Sequence, residues 1–210
     1  MFKEMKLGTK LLVTFFAVGI IPFGIIAIVA LVSGSNTMTE QAYEHLHSVQ
    51  VVKKNQIEHY FQERLGDVSV LSGNPFVADA LHKFNEAFEA AGGKTSGERY
   101  NTVESEYGPW LAQYKNAYGY YDLFLIHNNG NIVYTVVKES DLGENLITGP
   151  LRSSNLAECF QRAMGGKVTF EDFVPYAPSN NEPASFVCAP IRRDGRIYGI
   201  VALQIPLDKI

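Results

Sequence analysis

The acids and aromatics able to hold a ligand gather in the second half of the chain. From Tyr120 to Gly143 the sequence reads YYDLFLIHNNGNIVYTVVKESDLG, two alternating apolar runs joined across NNGN and followed by a patch of acids. Alternation sets Tyr121, Leu123 and Leu125 on one face of the first strand and Asp122, Phe124 and Ile126 on the other. The residues alone leave open which face meets a ligand. Asp122 is a carboxylate in an apolar strand, hence either a strand-edge charge in water or a buried anion that needs a partner. In FEDF the adjacent acids Glu171 and Asp172 point to opposite faces, so one of them, taken here as Asp172, reaches a pocket. Tyr134, Tyr176 and Phe186 are the aromatic candidates. A carboxylate with aromatic walls suits an ammonium group through ion pairing and cation–π attraction. Arg152, between the second and third strands, suits a ligand carboxylate held in bidentate fashion. With both at work the ligand is amino-acid-like; with Arg152 alone it is an organic acid.

The candidate ligand-binding residues are therefore Tyr121, Asp122, Phe124, Tyr134, Arg152, Asp172, Tyr176 and Phe186. Each also has a plain structural role, as a core aromatic or a solvated charge. Tyr114, Tyr118, Tyr120 and Tyr121 equally suit the packing of a helix-to-strand junction, with hydroxyls at the solvent edge.

Catalytic patterns are missing. His45, His47, His59, His82 and His127 form no HExxH motif, and no G-x-S-x-G occurs. Gly93-Lys94-Thr95 resembles the end of a phosphate-binding loop, but the required first glycine is Phe88 and a helix precedes it. No catalytic residue, metal site or cofactor is expected. The net charge of −4 comes from interspersed acids and bases, with no basic face for nucleic acid.

The elements that must position these residues follow from the apolar periodicity. Leu11 to Val32 is an uncharged apolar run long enough for a membrane-spanning helix, which requires roughly 20 residues. Lys3, Lys6 and Lys10 precede it and no Lys or Arg follows until Lys53, which places the N-terminus in the cytoplasm and the rest outside. The run is too long for a signal peptide, and SGSN is a poor cleavage site. From Asn36 to Ser72 the apolar spacing predicts one long helix, a stalk whose stripe can also pair with a second copy to give a homodimer. Helices follow after SGNP and over Glu98–Ala117. Strands are predicted at Tyr121–His127, Ile132–Lys138, Val168–Tyr176, Ala184–Ile191 and Arg196–Ile205, with a helix over Ser154–Met164 in the crossover. Cys159 and Cys188 could pair in an oxidising compartment, yet both sit in apolar patterns, the usual mark of a small buried core residue.

Three segments carry a family resemblance: GYYDLFLIHNNGNIVYTVVKESDLGENLITGP, GKVTFEDFVPYAPSNNEPASFVCAPI and RRDGRIYGIVALQIPLDKI. Together with the anchor and stalk they resemble the extracytoplasmic double Cache (PAS-like) sensor region of bacterial methyl-accepting chemotaxis proteins. The resemblance implies an α+β fold with an N-terminal transmembrane helix, a long stalk helix and a five-stranded antiparallel PAS-like sheet flanked by helices. The expected domains are a cytoplasmic N-terminus (1–10), a spanning helix (11–32), a helical region (36–117) and the Cache module (118–210). The implied function is a chemoreceptor input domain for a small extracytoplasmic ligand, here only the N-terminal portion of a longer receptor. The same module fronting a sensor histidine kinase or a cyclic-dinucleotide enzyme is the alternative, and a membrane-tethered hydrolase a more distant one.

Overall fold

Strand and turn signals after residue 120 become one antiparallel sheet in a computed structural model that describes residues 6–207, the side chains of 35–37 and 39 aside. Lys3, with the rest of residues 1–5, and residues 208–210 of the expected module lie outside the described residues. The chain divides into two units, Met1–Gln56 and Ile57–Ile210. The first is helical, the beginning of helix α1 (Leu7–Ser72), and within it Leu7–Gly34 is long and apolar enough to cross a membrane. Pro22 lies inside that stretch, where a membrane helix tolerates the missing backbone donor.

In the second unit the end of α1 is followed by α2 (Pro75–Ala90) and α3 (Glu98–Tyr118). Asn74 caps α2, its side chain accepting from Phe76 N at 2.9 Å, and Pro75 supplies a preset first-turn φ. Gly119, at φ 74°, ends α3 in the left-handed conformation. The strands are β1 (Asp122–His127), β2 (Ile132–Thr135), β3 (Thr169–Tyr176), β4 (Glu182–Arg193) and β5 (Arg196–Ile205), with α4 (Asn155–Ala163) in the crossover from β2 to β3. Their order across the sheet is β2-β1-β5-β4-β3, all neighbours antiparallel.

Strand β2 stops at Thr135 rather than running to Lys138. The Asp122 carboxylate accepts the N–H groups of Val136 and Val137 at 2.9 and 3.0 Å, and Thr135 Oγ1 accepts from Lys138 N at 2.8 Å. Val136 N also keeps a bond to Leu123 O at 3.2 Å, and beyond it side-chain acceptors take over from the ladder and turn the chain away from the sheet.

Two apolar clusters occupy the two faces. Leu123, Leu125, Val133, Tyr134, Val187, Val201 and Leu203 pack against Val68 and Leu71 of α1 and against α2 and α3. Phe124, Ile126, Phe186, Cys188, Ile200 and Ala202 pack beneath α4. The tyrosine-rich junction serves the first cluster: Tyr120 donates to Asp67 Oδ2 at 2.8 Å, Tyr114 donates to Asp67 O at 3.1 Å, and Tyr114 and Tyr118 stack. Arg64 lies over the Tyr60 and Tyr120 rings.

Cys159 on α4 and Cys188 on β4 are both fully buried, as core residues would be, and are also joined in a disulfide with Cα atoms 5.9 Å apart. The reading of the pair as core alone is corrected: helical and strand spacing show that each faces inward but not that the two inward faces meet. The sheet is tight where β5 crosses β1. A Cβ added at Gly199 would overlap the Ile126 carbonyl oxygen and stand 2.7 Å from Leu81 Cδ2. Gly199→Ala is expected to destabilise the protein by about 2 kcal/mol or more, because backbone on one side and a buried leucine on the other leave no easy relaxation. Thermal unfolding of the two proteins checks this.

Candidate functional site

Row by row, the sheet's register assembles a polar patch within the face that α4 and the crossover cover. Asp122 of β1 stands opposite Gln204 of β5, and Gln204 stands opposite Phe186 of β4. The long connection after β2 lays Glu139 and Asp141 over this row, and Tyr176 at the end of β3 reaches Asp141 Oδ2 with its hydroxyl at 3.0 Å. The Tyr176 ring meets Phe186 edge-on at 5.0 Å, and Phe186 meets Phe124 at 5.9 Å.

A second chain of hydrogen bonds runs beside it. Glu139 accepts from Tyr121 Oη at 2.6 Å and from Ser179 Oγ at 2.7 Å, and Ser179 Oγ in turn accepts from Gln204 Nε2 at 3.2 Å. Since the Ser179 proton is committed to Glu139, Gln204 must present its amide NH₂ to Ser179 and aim its carbonyl elsewhere. Tyr121, Ser179 and Gln204, with Glu182, Pro183, Ile205, Pro206 and Leu207, line a cleft of about 540 Å³. A larger cleft of about 700 Å³ lies where α1 meets α2, beside the β4–β5 turn. Its acid Asp79 is already bonded to Tyr107 at 2.5 Å, and Arg192 and Arg193 are solvent-exposed.

Burial governs the electrostatics. Asp122 and Asp141 are both 0% exposed. Loss of hydration pushes Asp122 up to about 7, against the lowering effect of backbone donors from Val137, Leu123 and Val136 and with a further rise from Asp141. Burial likewise raises Asp141 to about 6, offset in part by the Tyr176 hydroxyl. Tyr121 rises to about 12, chiefly because its hydroxyl is bonded to the Glu139 carboxylate. Among the described residues, Asp122 Oδ2, Asp141 Oδ1 and Gln204 Oε1 are buried and without a hydrogen-bond partner. A buried polar atom left unpaired costs about 1–3 kcal/mol, so three acceptors in one patch oppose folding.

Of the residues expected at a site, Asp122, Phe124, Tyr176 and Phe186 come together on the covered face, and Tyr121 lines the adjoining cleft. Tyr134 does not join them: its register partner is Leu125, so it faces the helices and stacks on Phe84 at 4.4 Å. Arg152 is solvent-exposed, its guanidinium reaching only Gly149 O at 3.4 Å among the described residues. Asp172 is exposed within a bulge of β3, where its carboxylate accepts from Phe173 N at 2.7 Å. Glu171 pairs with Arg162 of α4. Glu139, Asp141, Ser179 and Gln204 were missed. Gln204 carries a readable signal, the one amide in the apolar strand IVALQI, whereas Ser179 in a loop carries none.

No family model matches the chain, and no curated protein matches it in sequence. Solved structures do. The sensor domain of the V. cholerae histidine kinase DctB is 16% identical with TM-score 0.55, over 80% of this chain and 57% of that one. The extracellular domain of vpHK1S-Z8 is 14% identical with TM-score 0.50, over 83% of this chain and 60% of that one. A weaker likeness, TM-score 0.48 at 12% identity, is to the ligand-binding domain of the Pseudomonas aeruginosa amino acid chemoreceptor PctC in complex with GABA, over 79% of this chain and 62% of that one. The likeness shows the fold, the PAS-like arrangement of Cache sensor domains. The chain spans less than two thirds of the length of each of these structures.

Proposed function

We propose that this chain is the membrane-tethered input module of a bacterial chemoreceptor, binding a small extracytoplasmic ligand between the sheet and the β2–β3 crossover. The observation that carries this reading is the buried acceptor patch of Asp122, Asp141 and Gln204, set beside a cleft at the strand ends of a PAS-like sheet. An apolar wall with a few convergent polar groups is what orients a small ligand. The N-terminal helix anchors the module, and Lys6 and Lys10 before the apolar stretch favour a cytoplasmic N-terminus with the sensor outside. A homodimer through the exposed apolar positions of α1, Leu46, Val49 and Val52 among them, fits this role.

Adjacent tyrosines supply a route for the signal. Tyr121 bonds Glu139 at the cleft, while Tyr120 bonds Asp67 of α1. A ligand that draws the crossover inward displaces Tyr121, and with it the strand entry that Tyr120 ties to α1, biasing a two-state equilibrium of that helix. The same module coupled to a histidine kinase is the second reading, favoured by the fold shared with the DctB sensor domain. The two differ in the output domain and not in the binding step.

The full chain in detergent is expected to unfold at higher temperature in the presence of its ligand, by about 2.7 kcal/mol of added stability at a hundredfold excess over Kd. A panel of amines, amino acids, organic acids, sugars and nucleosides in which no compound moves the transition would end the sensor reading.

A further inference from the structure

The unpartnered polar atoms of the patch are all acceptors. Asp122 and Asp141 each present an unpartnered buried carboxylate oxygen, and the Gln204 amide, held by Ser179, adds an unpartnered carbonyl oxygen. Glu139 and, at the exposed rim, Glu182 add further negative charge. No Lys, Arg or His is among the described residues that line the cleft. The one arginine of the crossover expected to clamp a ligand carboxylate, Arg152, lies at the surface on Gly149 O. Acceptors without donors select a ligand that brings donors, and carboxylates without a cationic partner select a positive charge. Among the described residues no group of three or more His, Cys, Asp or Glu is placed to hold a metal ion, which favours a cation held through N–H donors.

We propose that a primary amine carrying no carboxylate enters through this cleft, at whose wall Gln204 stands, its ammonium received behind the wall by Asp122, Asp141 and the Gln204 carbonyl. This rests on the sensor reading above and names its ligand class. An ammonium offers three N–H donors, one for each acceptor of the patch. The rings of Tyr176, Phe186 and Phe124 pack edge-on in the core behind the cleft, so the carbon stem of the amine lies outward, among Tyr121, Pro183, Ile205 and Pro206 of the cleft lining. An α-amino acid or a dicarboxylate would bring an anion against Asp122, Glu139 and Asp141 with nothing cationic to meet it.

Recognition of this kind depends on pH. The groups that face the ammonium are Asp122 from β1, Glu139 and Asp141 from the crossover, Tyr176 from β3 and Tyr121 at the entry to β1. Both buried acids must lose their protons to receive a cation, and burial holds those protons on to about 7 and about 6. Amine affinity is therefore lost as pH falls, by about tenfold for each unit below the raised value for each proton that must leave.

The test is a thermal-shift and calorimetric titration of the full chain in detergent with putrescine, ethanolamine and phenethylamine. The uncharged 1,4-butanediol, the anionic succinate and the zwitterionic 4-aminobutyrate, whose ammonium comes with a carboxylate, serve as contrasts. At least one amine is expected to stabilise the protein at pH 8 and to bind at least tenfold more weakly at pH 5.5, with no response to the diol or the two carboxylates. Asp141→Asn, which keeps an acceptor for Tyr176, and Asp122→Asn, which keeps one for the backbone donors, are each expected to weaken the amine at least tenfold. Unchanged amine binding in both variants would overturn the assignment. A response to succinate or the diol in place of amines would also overturn it, while leaving the sensor reading standing. A panel with no response of any kind would remove both.

Discussion

Asp122→Asn is expected to raise the melting temperature at pH 8 and to change it far less at pH 5. The native carboxyl is pushed up to about 7 from an ordinary 3.8, so between those values the folded chain holds a proton that the unfolded chain releases. Where the folded state binds more protons, stability falls as pH rises. The penalty is absent near pH 4, grows by about 1.4 kcal/mol per unit, and levels off above pH 7 at about 4 kcal/mol. Asparagine is neutral throughout and can still accept the Leu123, Val136 and Val137 N–H groups at the Oδ1 position. At 2–4 °C per kcal/mol for a chain of this size, the gain at pH 8 is roughly 10 °C, against about 4 °C at pH 5. Differential scanning fluorimetry of both proteins across this pH range gives the answer. A variant that is less stable than the parent at every pH would mean that Asp122 is a satisfied structural group and not a stored cost. Under the proposed amine assignment, an arriving cation removes this penalty.

Legibility in the sequence followed the range of the interactions. Strand existence and turn positions depend on near neighbours, and the sheet, its two faces and α4 emerged with boundaries shifted by a few residues. Where β2 ends was not local. It is set by a carboxylate fourteen and fifteen residues earlier in the chain, which no propensity at Val136 or Val137 records. Face assignment explains the mixed result for the site. Alternation grouped Asp122 with Phe124, but the β1–β2 pairing, with a register shift after Leu125, decided that Tyr134 sides with Leu125 and the helices. The bulge between Glu171 and Val174 likewise breaks alternation in β3, so Asp172 ends on the surface and Glu171 on Arg162. Glu139 and Asp141 looked like a solvated acidic tail because composition does not say what a loop folds back onto.

The crossover that closes the site is tethered at one end by covalent chemistry. The disulfide between Cys159 and Cys188 fastens α4 to the middle of β4, and Asn155 adds hydrogen bonds to Asp172 O and Ala184 O at 3.1 and 2.6 Å. The segment from Val136 to Ser154 is held by hydrogen bonds and not by a covalent tie, Glu139 to Tyr121 and Ser179, Asp141 to Tyr176 and Asn145 to Asn131. Closing a loop of this sequence separation, 29 residues, contributes about 3.5 kcal/mol in the chain-entropy treatment. Replacing both cysteines by alanine is therefore expected to lower the melting temperature by roughly 10 °C. Dithiothreitol should lower the parent by a similar amount and leave the double variant unmoved. Titration of the denatured, non-reduced protein with a thiol reagent is an independent readout, and two reactive thiols would end the disulfide assignment. A bond of this kind persists outside the cytoplasm and not within it. Its recovery intact from cells therefore tests the proposed orientation as well: protein isolated under alkylating conditions should have both cysteines blocked to the reagent if the module lies outside the membrane, and both modified if it faces the cytosol.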